Sequence, residues 1–384
     1  MRVGSALAQR EAVFVYSPEF ETFSYPEDNP FKTDRAGQLR KVLNSMGLLY
    51  GAGRREMPPV PADRKALKKF HSARYLYALK TAAEGKWDNE ALNMGIGSVD
   101  CPVFAGMYDY AALATGATVV GADLIMSGSA NIVFNPSGGF HHAGPERAAG
   151  FCYMNDVAIA CTILAEQRKR VLYLDVDVHH GDGVAYAFYE RSDVMTISLH
   201  EDPRVLFPGT GFEDEIGSGK GLGYCVNVPL PVGTYDEAYM RAFDAVAIPL
   251  IFAFNPDVIV FELGVDALAG DPLAHLCLTN NTYAAIIKHL MSFDKPILAT
   301  GGGGYNVENT VRAWALAWAV FCGEDTDPGM DSTVGGVMLA STDWRGGLRD
   351  RELPVTKHQR EVVLPAVERV IESVKARVFP IHGL

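Results

Sequence analysis

The chain has 384 residues, 48% of them hydrophobic, enough to bury one large α/β core or two smaller ones. A formal net charge of -12 and the lack of a long Lys/Arg run argue against a nucleic-acid groove and favour a cationic partner. Six dispersed cysteines without Cys-x-x-Cys spacing speak against a disulfide framework, no apolar leader precedes residue 12, and apolar runs such as 313–322 are too short to span a bilayer; the expectation is a cytoplasmic protein with no membrane partner.

Ala12–Tyr16 reads as a short strand. Pro26 and Pro30 keep the next segment irregular until Thr33 or Asp34 caps a helix through Leu39, Val42 and Leu43. Arg35 opposes the charge pattern of a helix start, and suits either the surface or the floor of a site. Residues 52–70, with a Pro-Pro turn and a basic stretch, read as a connection into a helix over 73–82 preceded by His71 or Ser72. A Gly- and Pro-rich loop over 94–104 then carries Asp100, suited to bonding the backbone of a bound chain or to closing a turn on its own loop. The alanine-rich run 108–127 predicts a helix packed closely on a sheet.

Asn131–Phe134 predicts a strand that opens into Asn135-Pro-Ser-Gly-Gly-Phe-His-His-Ala-Gly144. If His141 and His142 are buried they need two sets of polar partners. Beside a metal ion, one can take a proton from water and the other can pass a proton to a leaving group. Gly150 and its neighbouring glycines allow close approach to a ligand, and Phe140 and Phe151 suit an apolar access route. Asn155 or Asp156 begins a helix through Leu164.

The stretch Val171–Val178 has the near-continuous apolar character of a strand covered on both faces, as in a parallel sheet, where ligands collect beyond the carboxyl ends. Asp177 and His179, two residues apart, point to one side of an extended chain and can share a divalent ion. Asp175 lies one step deeper, where a charged carboxylate needs a cation or donors. Asp182 either orients a histidine or caps a helix starting near Val184. In the next predicted strand, 194–200, the Ser198 hydroxyl and the Leu199 carbonyl suit a monovalent cation held beneath the site by Asp175. Phe207 faces Phe151 across a slot that fits a long methylene stem.

Further strands are predicted at 224–228 and 258–263, with a helix through 242–252 between them. Asp266 then makes a third anionic ligand, leaving an open fourth position; Asp271 reads as a turn cap and Leu273 as a pocket-wall residue. Strand 296–300 leads into four successive glycines and Tyr305, whose hydroxyl can donate to a developing oxyanion. A helix from 309 or 310 carries Trp314 and Trp318, residues 324–353 read as loop, and a helix over 360–377 closes the chain. No repeat or linker forces a boundary. The expectation is one α/β domain spanning 1–384, a central, mostly parallel sheet flanked by helices, with its catalytic core over 12–321 and a C-terminal helical extension over 322–384. The loops at the C-terminal strand ends hold the inventory for hydrolysing an amide or ester carbonyl.

These motifs, GGFHHA at 138–143, GFCYMND at 150–156, DVDVHHGDGV at 175–184, FPGTG at 207–211, GVDALAGDP at 264–272 and GGGGYN at 301–306, are similar to those of the zinc-dependent histone deacetylase superfamily, specifically its class I-like bacterial branch of acetoin utilisation deacetylases. The resemblance implies an arginase/deacetylase-like fold, with one zinc (iron(II) as the alternative) on Asp177, His179 and Asp266. It implies His141 and His142 as the proton-transfer pair, partnered by Asp175 and Asp182 respectively, and Tyr305 polarising the acetyl carbonyl. A structural potassium is implied at Asp175, Ser198 and the backbone of His179 and Leu199, and a second around Phe188, Arg191 and Val194, near Tyr224. Gly150, Phe151, Phe207 and Gly303 are implied in the acyl-lysine tunnel, Leu273 at its rim, Asp100 on the substrate backbone and Arg35 in a cavity below the metal. The implied substrate is acetyl-lysine in a protein or peptide, an acyl-CoA synthetase among them, handled by a monomer or homodimer. Acetylpolyamine deacetylation and a silent acyl-lysine reader are the alternatives. Glu262, Val265 and Phe140 depart from the family pattern, and Glu262 is expected to alter the local charge if it is buried.

Overall fold

Val171 to Leu174 are enclosed because their strand runs through the interior of one eight-stranded sheet with helices on both faces. The computed structural model describes residues 10–86, 88–324 and 347–384. In chain order the strands are β1 (Ala12–Val15), β2 (Arg54–Met57), β3 (Ile132–Asn135), β4 (Val171–Asp175), β5 (Val194–Glu201), β6 (Cys225–Leu230), β7 (Val258–Glu262) and β8 (Ile297–Thr300). Their spatial order is β2-β1-β3-β8-β7-β4-β5-β6. Every pairing is parallel, so the sheet is wholly rather than mostly parallel. That explains the apolar runs: a strand covered on both faces has no solvent side on which to alternate.

Helix Met107–Met126 lies over β3 and β8, and its small side chains let it come close. A Cβ on Gly121 would press into Leu298 and Val133, so glycine sets that approach. Elsewhere Phe14 packs edge-on against Trp318 and Phe134 against Trp314, joining the sheet to helix Val307–Phe321. The C-terminal helix, Lys357–His382, covers β6 and runs longer at both ends than its charge pattern predicted; the Thr356 hydroxyl caps it.

Several expectations are corrected. The central strand stops at Asp175 instead of Val178, because carboxylates replace the ladder: Asp175 Oδ1 accepts the Asp177 N–H at 3.0 Å and Asp177 Oδ1 accepts that of His179 at 2.9 Å. β2 falls within the segment read as a connection. It is the charged edge run Arg54-Arg55-Glu56-Met57, half-exposed throughout, with no apolar periodicity to detect. Helix Asn280–Ser292 also went unread. The loop expected over 324–353, the first part of the C-terminal extension, falls largely on 325–346, outside the described residues, as do residues 1–9.

Candidate functional site

Four neighbouring strands, β3, β8, β7 and β4, end on one edge of the sheet, and the loops that leave them carry the polar residues singled out in the sequence. His141 and His142 follow β3, Asp177 and His179 follow β4, Asp266 follows β7 and Tyr305 follows β8. Loops far apart in the chain thus converge because their strands are adjacent.

The two histidines are buried, their Nε2 atoms 3.0 Å apart. His141 Nδ1 meets Asp175 Oδ2 at 3.0 Å and His142 Nδ1 meets Asp182 Oδ1 at 2.7 Å, so each ring has its own carboxylate behind it. Asp182 begins the helix Asp182–Ala187 without capping it through its side chain. Burial opposes charge on His141, but Asp175 and Asp177 outweigh it and raise its pKa well above the usual value. Burial, then the charge on His141, push His142 down to about 4. The neutral form is thus favoured on His142 and the protonated form on its neighbour. The loop itself is fastened by Asn155, which caps helix Asp156–Glu166 and donates to the carbonyls of His141 and Ala143.

Asp177, His179 and Asp266 are all buried and present ligand atoms within 4.8 Å of one another. His179 Nδ1 lies 3.1 Å from Asp177 Oδ1 and 2.9 Å from Asp266 Oδ2. Backbone donors take the other carboxylate oxygens, Gly303 N–H to Asp177 Oδ2 at 2.7 Å and Val178 N–H to Asp266 Oδ1 at 2.8 Å. A Cβ on Gly303 would overlap the Asp266 carboxylate, so glycine is required for this approach. Burial, and then the negative charge of Asp177, push Asp266 up to about 7. Two buried carboxylates that share a single imidazole call for positive charge between them, and one nitrogen with two carboxylate oxygens fits a borderline-soft divalent ion. The residues present therefore fit a metal.

A cavity of about 390 Å³ opens above this set, lined by Asp100, His142, Gly150, Phe151, His179, Leu206, Phe207, Leu273 and Tyr305. Phe207 stands 5.0 Å from the His142 ring and Phe151 5.7 Å from that of Tyr305, centroid to centroid. Phe140, expected on the access route, is instead core, packed against Phe31 and Tyr110. Gly303 is likewise absent from the cavity wall; it holds Asp177 from below. Asp100 is already engaged, accepting the Gly150 N–H at 2.9 Å and the Ser98 hydroxyl at 3.0 Å, though each oxygen keeps a second lone pair.

Other residues make contacts that the sequence left open. Asp271 does close its own turn on Leu273 N–H, but its second oxygen accepts the Tyr305 N–H at 2.8 Å, fixing the backbone of that tyrosine. Arg35 is buried beneath the glycine loop and donates to the carbonyls of Gly304 at 2.7 Å and Gly302 at 2.9 Å, with its guanidinium over Phe31 and Trp314. Glu262 is fully enclosed; Thr300 donates to its Oε2 at 2.6 Å, its Oε1 has no protein partner, and burial raises its pKa well above the usual range. Burial thus favours its neutral form, against the change in local charge expected of it.

The groups read as a monovalent-cation site are adjacent, Asp175 pairing in register with Ser198. Each has protein partners: Asp175 accepts from Tyr173 at 2.6 Å, Ser198 Oγ lies 2.8 Å from His200 Nδ1, and Tyr239 donates to the Leu199 carbonyl at 3.3 Å. His200 escaped the sequence reading; it is buried and links Ser198 to the Gly211 carbonyl. Around the second expected cation site, the Phe188 carbonyl accepts from Arg191 N–H and that of Tyr224 from Thr196 N–H.

Comparison with known proteins agrees with this arrangement. The histone deacetylase domain matches residues 29–321. The acetoin utilization protein AcuC of Bacillus subtilis is 40% identical over 328 residues, covering 83% of this chain and 84% of that one. Histone deacetylase 8 of Xenopus tropicalis is 41% identical over 291 residues, covering 75% and 78%. The crystal structure of a histone deacetylase homologue from Aquifex aeolicus superposes with a TM-score of 0.82 at 30% identity, over 95% of this chain and all of that one. A homologue crystallised in complex with SAHA gives 0.83 at the same identity and coverage. The chain belongs to the histone deacetylase family.

Proposed function

We propose that the protein is a zinc-dependent amidohydrolase that removes acetyl groups from the ε-amine of acetyl-lysine in cytoplasmic proteins. The observation that carries this reading is the cavity floor, where His142, His179 and Tyr305 meet at the end of a slot walled by Phe151 and Phe207. Asp177, His179 and Asp266 would hold the ion, with zinc preferred over iron(II) for its tetrahedral nitrogen and oxygen chemistry. Such an ion polarises the scissile carbonyl and makes water nucleophilic at neutral pH.

The chain's own groups do the rest. Phe151 and Phe207 take the methylene stem and exclude water, Leu273 and Gly150 complete the wall, and Asp100 offers its free lone pairs to the substrate backbone. Neutral His142, oriented by Asp182, accepts the proton of the attacking water at Nε2. His141, held by Asp175, stabilises the negative charge that develops, and the histidine pair returns the proton taken from water to the amine nitrogen as the C–N bond breaks, releasing the lysine amine and acetate. Tyr305, its backbone fixed by Asp271, donates its hydroxyl to the oxyanion. Asp175, Ser198 and the Leu199 carbonyl would bind a structural potassium behind His141.

Val99, beside Asp100, is 97% exposed and Val205, near Phe207, 55% exposed, which supports a mouth open to a protein chain. The test is acetate release by zinc-loaded protein from acetylated peptides, a folded acetylated acyl-CoA synthetase and N-acetylpolyamines. Turnover of peptides or the synthetase supports the proposal. Turnover of polyamines alone would move the substrate to small amines, and binding without acetate release would make the protein a reader.

A further inference from the structure

A basic segment over residues 64–86 lies outside the deacetylase site. Residues 64–86 contain seven lysines and arginines against a single acid, Glu84, whereas the rest of the chain holds 27 basic against 45 acidic residues. Two of the seven are neutralised, Lys69 by Glu166 and Arg74 by Glu90. Arg64, Lys80 and Lys86 have no ion pair or side-chain hydrogen bond among the described residues, and all three line one cavity of about 510 Å³. Opposite charges are abundant on this protein, so three unneutralised cations gathered around a concavity are not the outcome of composition.

The remaining walls add a second kind of recognition. Tyr77 is 73% exposed, an unusual exposure for so large a ring, and Tyr108 is half-buried on the neighbouring helix. Both rings line the same cavity, with Leu76 at its base and Glu84 the one carboxylate on it. Cations take phosphate oxygens through charge-assisted hydrogen bonds, and exposed phenol rings offer stacking surfaces to a planar base. The volume lies within the usual range for a small-molecule pocket. The net charge of -12 does not forbid an anion here, because at physiological salt the screening length is about 8 Å and the local cations govern.

We propose that this cavity, on the outer side of helix Ala73–Ala83, binds a nucleoside polyphosphate, its phosphates on Arg64, Lys80 and Lys86 and its base against Tyr77 and Tyr108. The proposal is independent of the deacetylase reading, since its readout is binding rather than turnover. Titration calorimetry with the full chain compares ATP, pyrophosphate and adenosine at two salt concentrations. Saturable ATP binding that weakens with salt is expected, with Lys80→Glu raising Kd about tenfold or more. Tyr77→Ala is expected to weaken ATP and leave pyrophosphate unchanged, while Lys220→Glu, exposed on the short turn Gly219–Gly221 and outside the cavity lining, leaves both unchanged. No saturable ATP binding near 1 mM, roughly the weakest affinity of use to a cell, overturns the site. Pyrophosphate binding as tight as ATP, indifferent to Tyr77→Ala, overturns the nucleoside assignment. An equal loss from Lys220→Glu reduces the effect to net charge and also overturns it.

Discussion

His141 Nε2 and His142 Nε2 stand 3.0 Å apart, with a different carboxylate behind each ring. Two imidazolium groups cannot coexist at that distance, so one proton is shared unequally and His142, beside the cavity, stays neutral. His142→Ala is expected to lower kcat/KM by about 10²–10⁴, the usual worth of a positioned base. Asp182→Asn, which keeps the size of the orienting group but not its charge, is expected to cost about 10–100-fold. Steady-state kinetics on an acetyl-lysine peptide decide it; near-native turnover of His142→Ala would remove the base from the mechanism.

Gly303 makes a separate prediction, because its N–H holds Asp177 while its missing side chain leaves room for Asp266. In Gly303→Ala one carboxylate must move. Overpacking of this kind costs roughly 1–3 kcal/mol in denaturant unfolding, and the displaced ligand should leave the purified variant with clearly less than one metal per chain. Full metal occupancy by elemental analysis would show that the loop yields instead.

Glu262 tests whether burial or proximity sets its charge. Its enclosure keeps it protonated, so the isosteric and neutral Glu262→Gln should change unfolding free energy by less than about 1 kcal/mol, within the range of one exchanged hydrogen bond. Activity should stay within about twofold, which is under 0.5 kcal/mol of barrier. A gain in stability of several kcal/mol would mean that a buried anion had been removed, and with it the neutral assignment.

How much of this was readable beforehand depends on where each residue's partners sit. Asp177, His179 and Asp266 announced themselves through local pattern, because a strand that ends in several ligand types at once has few other uses. Asp271 announced only its turn, and Arg35 left surface and site floor open until the family resemblance pointed below the metal, where the structure puts it. Their partners, Tyr305 N–H and the carbonyls of Gly302 and Gly304, lie 34 to 269 positions away and are backbone atoms, which leave no mark on residue identity. The same holds for β2, whose place in the sheet comes from its ladder with β1 and not from its own side chains. The length of β4 was overstated for the opposite reason: the residues beyond Asp175 are apolar enough for a strand, but the intervening carboxylates capture the backbone donors.

The metal ligands themselves predict the effect of chelation. Without a cation, Asp177 and Asp266 share one buried space and the second is pushed up to about 7. A metal that binds the folded chain and not the unfolded one adds about 2.7 kcal/mol when free ion is at 100 times its Kd. Chelator-treated protein should therefore melt at a lower temperature and recover with zinc. Identical melting curves with and without zinc would rule out a tight site at Asp177, His179 and Asp266.

His71 lies away from these ligands and predicts a pH dependence of stability. It is buried, its Nε2 accepts the Asn155 N–H at 2.9 Å, and burial depresses its pKa to about 4. In the unfolded chain a histidine titrates near 6.5. As pH falls below that value the unfolded state binds the proton first, so stability is fully present above about 6.5, declines down to about 4, and then levels off. Between pH 7 and 5 the contribution lost is roughly 2 kcal/mol. Other buried histidines, His180 and His200 among them, are also held below their usual values and titrate in the same direction, so the variant must be compared with the parent at each pH. His71→Gln keeps an acceptor for Asn155 and cannot take up the proton. Urea unfolding should show the parent losing roughly 2 kcal/mol more than the variant over that interval, whatever their difference at pH 7. Parallel stability profiles for the two proteins would mean that His71 titrates normally in the fold.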